Sequence, residues 1–411
     1  MTSSRKTHLN HLIILCLLFS KSGLALEQEI HGLLELRYTI TDGIDSYLTG
    51  DYGKFQFPDG NRFSLSQATI NYQLHWQDKF SLHLIASGFA NGVKNNLGFT
   101  ESYFQYKQLP SDAGYRFTLR GGLMYPKVSM TNKLSGWASP YTLSYSTLNA
   151  WLGEELRHRG VDFTLTRLGR FSDSEHDFEL TVTGFQGNDP AGAVLAWHGW
   201  AMSSRQTLPY ETQALPNSHI GFVPENSDMF LELDHRIGFQ ISSQWTWHRH
   251  GRILLGYYDN QADPKVVKNI QWAWRTKFSH LGIKWQLAQG VELISQYLRG
   301  NTLMQTTSGS ADLVNNDYDS GFVMLSKKMN RHRLSTRLEA FSVSDKDSLT
   351  FDDNNEHGKA FTLNYSYRLH KQVFLQTEFN WLDSHRPSRA GKGHNENLIE
   401  RQLQFAARYF F

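Results

Sequence analysis

Apolar and polar side chains alternate along most of this chain. The clearest example is the C-terminal segment "RQLQFAARYFF", in which Leu403, Phe405, Tyr409 and Phe411 fall on one parity and mostly polar residues on the other. Successive side chains of a β-strand point to opposite faces. The segment is therefore predicted to be a strand with one apolar face and one largely polar face.

Sixteen segments share this alternation, and each has about the ten residues with which a tilted strand crosses a bilayer. The predicted strands span residues 30–40, 63–76, 79–90, 97–107, 115–124, 159–168, 176–186, 236–248, 252–258, 274–287, 291–300, 319–329, 333–343, 360–369, 373–382 and 399–411. The links alternate in length: "QDK", "RHG" and "HKQ" are short, whereas residues 41–62, 125–158 and 187–235 form long connections. This alternation of turns and loops is typical of an outer-membrane barrel.

The apolar face of such a barrel would point outward into lipid. A barrel of sixteen strands is too wide for its own side chains to fill, so its lumen should be polar, and closure leaves no unpaired strand edge in hydrocarbon. Aromatic residues near strand ends suit interfacial girdles; they are Trp76, Trp245, Trp247, Trp285, Trp381 and Tyr409. The predicted fold class is an all-β, transmembrane antiparallel barrel of about 16 strands.

The N-terminus has the layout of a secretory signal peptide. Arg5 and Lys6 precede an apolar run over residues 12–19, and the small residues Gly23 and Ala25 follow. We expect residues 1–25 to be the signal and residues 26–411 to be the barrel. The only cysteine, Cys16, lies within the run, so the mature chain would have no disulfide.

Composition changes this interpretation little. Aromatic residues make up 13% of the chain, and the mean hydropathy is −0.47. After the N-terminus no stretch approaches the roughly 20 apolar residues of a membrane-spanning helix. The chain has 41 basic and 39 acidic residues, and the signal holds three basic and no acidic ones. A nearly neutral exported chain gives no support to nucleic-acid binding.

The last strand resembles the terminal strand of Gram-negative outer-membrane proteins. Its residues Phe405, Tyr409 and Phe411 resemble the signal that the barrel-assembly machinery reads. The strand count and the long third external loop resemble the porins, both general and phosphate-selective. The resemblance implies that residues 125–158 fold into the lumen as the constriction and that small hydrophilic solutes diffuse through. It also implies a homotrimer in contact with outer-membrane lipid and lipopolysaccharide.

The constriction-loop candidate carries charges of both signs and several aromatic rings. The charged candidates are Lys127, Lys133, Glu154, Glu155, Arg157 and Arg159, and the aromatic ones are Trp137, Tyr141, Tyr145 and Trp151. Acids facing bases would create a transverse field in a pore, and aromatic faces could stack on sugars. Alternatively, the charges form ordinary ion pairs that hold the loop to the wall, and the rings anchor it. Both interpretations stay open.

Strand parity also predicts which charged side chains face the lumen. These wall candidates are Glu35, Arg37, Arg116, Arg120, Asp162, Glu179, Arg337, Glu339, Arg368, Glu378 and Arg408. Arg116 and Arg120 share a strand and a face, so they could begin a basic ladder that attracts anions, as in the phosphate-selective porins. Acids are as numerous as bases, which argues against strong anion selectivity. The simpler interpretation is that the wall charges solvate a water-filled lumen.

Catalysis has little support in the sequence. The eighteen histidines are scattered singly, and there is no serine elbow, paired-histidine metal motif or phosphate loop. We therefore expect no enzyme activity, cofactor or metal site. Two alternatives to a channel remain: a non-conducting barrel that acts as an adhesin or structural protein, and, with less support, a barrel enzyme such as a lipid hydrolase.

Overall fold

The computed structural model describes residues 26–216, 220–347, 349 and 352–411. The expected signal peptide, residues 1–25, lies outside the described residues. Sixteen antiparallel strands form one closed barrel, each paired with its neighbours in chain order. The strands are β1 Leu26–Asp42, β2 Gly60–Trp76, β3 Phe80–Ala90, β4 Asn96–Lys107, β5 Tyr115–Met124, β6 His158–Arg167, β7 His176–Gln186, β8 Gly238–Trp247, β9 Gly251–Asp259, β10 Arg275–Gln286, β11 Val291–Gln305, β12 Asp312–Met329, β13 His332–Asp345, β14 Glu356–Arg368, β15 Val373–His385 and β16 Asn397–Phe410.

The last strand closes the barrel against the first. β16 pairs with β1 from Leu33 opposite Phe410 to Asp42 opposite Arg401. The register ends on a reciprocal pair of backbone hydrogen bonds, in which Gly32 N–H donates to the Phe411 carbonyl at 2.9 Å and Phe411 N–H donates back at 3.2 Å. Every strand thus has two partners, as a lipid environment requires.

The polarity of the barrel is inverted relative to a water-soluble protein. On β16, Gln404 is fully buried, whereas its neighbour Phe405 is 43% exposed. The same alternation of buried polar and exposed apolar side chains recurs on β1, β6, β13 and β14. The predicted all-β, sixteen-strand antiparallel barrel is therefore confirmed, with its apolar face turned outward.

The longest connections all lie at the same end of the barrel. Seven short turns join strands at one end, and the chain termini of the barrel lie there too. At the other end the three longest loops are L1 (43–59), L3 (125–157) and L4 (187–237). L3 contains helix α1, Thr147–Glu155, and L4 contains helix α2, Ala193–His198. Neither helix, nor any shorter helical turn of the described residues, has the length and apolar character needed to span a bilayer.

Small elements complete the loops and turns. The 3-10 turns are Tyr47–Thr49, Ser135–Trp137, Gly169–Ser172, Ala288–Gly290 and Pro387–Lys392. Two two-residue ladders pair Gln213–Ala214 with Asn226–Ser227 and Val267–Lys268 with Gln271–Trp272. All of these lie outside the barrel ladder.

The sixteen predicted strands match the observed ones, but several are longer at the loop end. β12 begins at Asp312 although the alternation suggests residue 319, and β11 continues to Gln305. Segments such as "DLVNNDY" mix polar and apolar residues on each face because a strand that projects above the lipid meets water or loops on each side. Alternation therefore detects only the part of the strand that crosses the membrane.

Candidate functional site in the barrel lumen

Loop L3 lies inside the barrel and contacts its wall nearly all the way round. The Gln67 side-chain amide on β2 donates to the Gly136 carbonyl at 2.7 Å, and Met130 N–H donates to Gln296 on β11 at 2.9 Å. The Arg408 guanidinium on β16 donates to the Ser139 carbonyl at 2.9 Å. Contacts on such distant strands require the loop to cross the lumen.

Buried charged groups of the wall hold the middle of L3. Glu378 on β15 accepts hydrogen bonds from Leu143 N–H at 2.6 Å and from Ser144 N–H at 2.8 Å. On β13, the Arg337 guanidinium donates to the Ser144 carbonyl at 3.1 Å, and Glu339 accepts from Thr147 N–H at 2.8 Å. These charge-assisted bonds satisfy backbone groups that would otherwise be buried without partners.

Helix α1 joins L3 to L4. Glu155, at the end of α1, accepts hydrogen bonds from Leu195 N–H at 2.7 Å and from Gly192 N–H, both at the start of α2. The Trp151 indole N–H also donates to Glu155 at 3.0 Å. Burial raises the pKa of Glu155 to about 8, although these donors favour the charged form.

Loop L1 completes the assembly in the lumen. The Tyr47 hydroxyl donates to Glu154 on α1, and burial raises the pKa of Glu154 to about 7. Met202 N–H of L4 donates to the Lys54 carbonyl of L1 at 2.7 Å. The three loops are therefore linked to one another as well as to the wall.

The aromatic residues of L3 pack inside this assembly. Trp151 is 3% exposed and lies edge-on to Trp200 of L4 and to the wall residues Phe278 and Tyr318, with ring centroids 5.4–5.8 Å apart. The Trp137 ring stacks on the Tyr125 ring, with centroids 4.0 Å apart. Tyr145 and Tyr141 are also buried. These rings pack against the loops and the wall, and they present little of their faces to water.

The predicted wall charges are mostly paired on the inner face. Glu35 bonds to both Arg37 and Arg408, and Arg120 bonds to Asp162. The other pairings join Lys127 to Glu179 at 3.0 Å and Arg337 to Glu339 at 2.7 Å. Arg116 and Arg368 have no ion-pair partner within the described chain.

The predicted charges of the loop separate into different environments. Arg157 is fully buried, lies 3.6 Å from the centroid of the Tyr125 ring and donates to the Thr207 carbonyl at 2.7 Å. Burial lowers its pKa to about 9, so it remains charged near neutral pH. Arg159 is exposed on the outward face of β6, whereas Asp162 of the same strand faces the lumen. The Arg159 guanidinium donates to the Phe230 carbonyl. Lys133 is exposed. The structure therefore does not bring Arg157 and Arg159 together.

A serine and a histidine meet on the inner wall, but a triad is not formed there. Ser81 Oγ and His83 Nε2 lie 2.8 Å apart on β3. Within the described chain no carboxylate bonds to the other His83 nitrogen, so the group that orients the base in a triad is missing.

Three carboxylates of L4 lie close enough to one another to hold a metal ion. Asp189, Glu232 and Asp234 place carboxylate oxygens within 4.8 Å of one another in L4. Burial raises the pKa of Asp189 to about 7, and its carboxylate already accepts a hydrogen bond from Asp234 N–H at 3.2 Å. This bond joins the beginning of L4 to its end.

Several lumen residues were not predicted from the sequence. Lys54 of L1 forms a fully buried ion pair with Glu356, and Arg386 donates to the Ala196 carbonyl of α2 at 2.7 Å. Glu356 also accepts from Trp200 N–H at 2.8 Å. They lie within L1, at the first residue of β14 and just after β15, outside the segments predicted from alternation, so no local signal marked them.

A closed sixteen-strand barrel with a polar interior and loop L3 folded inside is a porin-like outer-membrane fold. Solved structures share it. The outer membrane channel DcaP of Acinetobacter baumannii is 10% identical with a TM-score of 0.56, covering 94% of this chain and 97% of its own. An anion-selective porin from Comamonas acidovorans is 11% identical with a TM-score of 0.53, covering 94% and 100%. OmpT of Vibrio cholerae, in its trimer form, is 9% identical with a TM-score of 0.52, covering 94% and 100%.

These likenesses establish the fold. No protein-family model and no curated protein matches the sequence. The nature of any solute must therefore be argued from the residues of this chain.

Proposed function

We propose that this protein is a passive diffusion channel for small hydrophilic solutes in a bacterial outer membrane, to which residues 1–25 direct its export. The observation that carries this proposal is the position of L3, which crosses a lumen whose wall is polar. A constriction inside a wide polar barrel restricts passage by size and charge. Solutes would move only down their own concentration gradients.

The loops leave much less room than an empty sixteen-strand barrel would. Every residue of α1 is buried, and L1 and L4 pack against it. We infer that only small solutes pass and that passage involves displacement of the assembly of L1, L3 and L4. The buried carboxyl groups Glu154 and Glu155 lie where such a displacement would break contacts.

The burial of α1 also favours the second candidate, a non-conducting barrel with a structural role. A liposome-swelling assay separates the two. A channel predicts swelling in a pentose that slows steeply for a trisaccharide, whereas a non-conducting barrel gives the rate of protein-free liposomes for both sugars. Unheated electrophoresis should show the folded form in each preparation.

Assembly as a homotrimer is part of the proposal, supported by the trimer form of the structurally similar OmpT. The exposed aromatic and aliphatic side chains of the outer wall would contact membrane lipid, lipopolysaccharide and neighbouring copies. Light scattering of the protein–detergent complex measures the protein mass and tests the trimer.

A further inference from the structure

A cavity of about 390 Å³ lies between the underside of L3 and the turns at the short-turn end of the barrel. Leu134 and Pro140 of L3 contribute to its lining, together with the inward-facing residues Phe374 and Phe410. This volume is in the range of small-molecule sites. It is separate from the contacts among L1, L3 and L4.

Basic side chains dominate the rest of the lining, and the lining contains no carboxylate. The basic residues are Lys328, Arg331, Arg333, Arg368, Lys371 and Arg408. They come from β12 to β16 and from the two turns between those strands, so they are close in space although up to 80 residues apart in sequence.

The strand register shows how closely the positive charges are placed. Lys328 lies directly opposite Arg333 in the β12–β13 ladder. Phe374 lies opposite both Arg368 and Arg408, on either side of β15. Like charges placed opposite each other on one face destabilise a sheet. A bound anion would relieve this repulsion between Lys328 and Arg333.

The wall neutralises only part of this charge. The Arg333 guanidinium reaches Glu292 at 3.4 Å, and Arg408 bonds to Glu35. Across the described residues, Lys328 and Arg368 have no ion-pair partner, and the same holds for Arg331 and Lys371 of the turns. Four cations therefore remain available to a ligand.

We propose that this cavity, which we call the basic vestibule, binds a small organic dianion with an apolar body. The cations would hold its phosphate or dicarboxylate group, because guanidinium groups bind such oxyanions in paired hydrogen bonds. Phe374, Phe410 and Pro140 would cover the apolar part. The inference deepens the proposed function by naming a solute class, but binding at the vestibule does not itself require conduction.

Isothermal titration calorimetry of the purified protein in non-ionic detergent tests this site. The probes are phenyl phosphate and phenylmalonate as dianions, inorganic phosphate without the ring, and phenyl β-glucoside with the ring and no charge. We expect both ring dianions to bind, inorganic phosphate to bind more weakly and the glucoside to give no heat of binding. Binding of the glucoside as tight as that of phenyl phosphate would overturn the proposal, as would the absence of binding by both dianions.

The variants K328Q and R368Q, singly and combined, test the residues. The double variant should weaken phenyl phosphate binding by at least about tenfold. The matched control is K327Q, since Lys327 is the sequence neighbour of Lys328 and lies on the opposite face of β12. It should leave the affinity within about twofold. Equal losses in K327Q and K328Q would contradict the site. If the double variant fails to fold, the single variants decide the question.

Binding and conduction can fail separately. Dianion binding by a barrel that never conducts would overturn the channel function and leave the vestibule in place. Conduction without dianion binding would overturn the vestibule and leave the channel in place.

Discussion

The carboxylate of Glu155 on α1 accepts a hydrogen bond from the backbone N–H of Leu195 on α2, with an N···O distance of 2.7 Å. This contact joins L3 to L4 in the middle of the barrel, where both residues are buried. Because one side of the contact is a titratable group, the connection between the two loops should depend on pH.

Burial raises the pKa of Glu155 from 4.5 to about 8. The packed loops therefore bind this proton more tightly than conformations in which Glu155 reaches water. Their contact should be fully stable below about pH 5, weaken as the pH rises and be weakest above about pH 8. We expect fluctuations of single-channel current to increase over this range.

The variant E155Q tests the assignment because glutamine cannot ionise. Burial also raises the pKa of Glu154 to about 7, so E155Q should shift the midpoint of the pH dependence downward. The double variant E154Q/E155Q should show a much smaller pH dependence, and the remainder would come from Asp189 of L4, whose pKa burial raises to about 7. A double variant with the wild-type pH profile would show that other groups control the loops.

The bonds from Glu378 to Leu143 and Ser144 predict a second effect. In E378A these two backbone N–H groups lose their acceptor inside the barrel, at a cost of about 1–3 kcal/mol each. Hydrogen–deuterium exchange of L3 should accelerate by at least about tenfold around these residues. The control E225A removes an exposed carboxylate of L4 and should leave L3 exchange unchanged. Unchanged exchange in E378A would show that other contacts hold L3.

The variant W151A tests whether the Trp151 ring holds L3 in place or binds sugars in the lumen. Its ring is 3% exposed and packs against Trp200, Phe278 and Tyr318. If the Trp151 ring holds L3 in place, its removal in W151A leaves a cavity and costs about 3–5 kcal/mol of packing. The baseline conductance should then rise. W381A, on the outer face of β15, should leave the conductance unchanged. Loss of sugar blockade in W151A at unaltered baseline conductance would support the track instead.

The closing bonds between Gly32 and Phe411 predict a defect in folding. Deletion of Phe411 removes both bonds and the terminal aromatic residue, so a smaller fraction of the protein should reach the heat-modifiable folded form. The control F63A removes an exposed ring of β2 that has no part in closure, and it should fold normally. A normal yield of the folded form after deletion would contradict a role for Phe411 in assembly.

Much of the fold could be predicted because the lipid imposes a simple rule on each strand. Gln404 and Phe405 illustrate it: neighbouring residues meet opposite environments, and the alternation records this at every position. The rule fails over residues 312–318, where both faces of β12 meet water or loops. Polarity then carries no information about strand extent.

The site was harder to predict because it depends on contacts between distant segments. Alternation predicts that Glu378 faces the lumen, but its two hydrogen-bond partners in L3 lie more than 230 residues earlier in the chain. The entry of L1 and L4 into the lumen leaves no periodic signal. The basic vestibule likewise depends on the register that places Lys328 opposite Arg333 and Phe374 opposite Arg408.

A diffusion channel conducts ions through its lumen. The most direct test is single-channel recording of the refolded protein in a planar lipid bilayer, with unheated electrophoresis to show that the barrel is folded. A channel gives stable, discrete open steps and an altered step size in W151A. Bilayers that stay silent with correctly folded protein would contradict a channel function and identify the assembly of L1, L3 and L4 as a permanent plug.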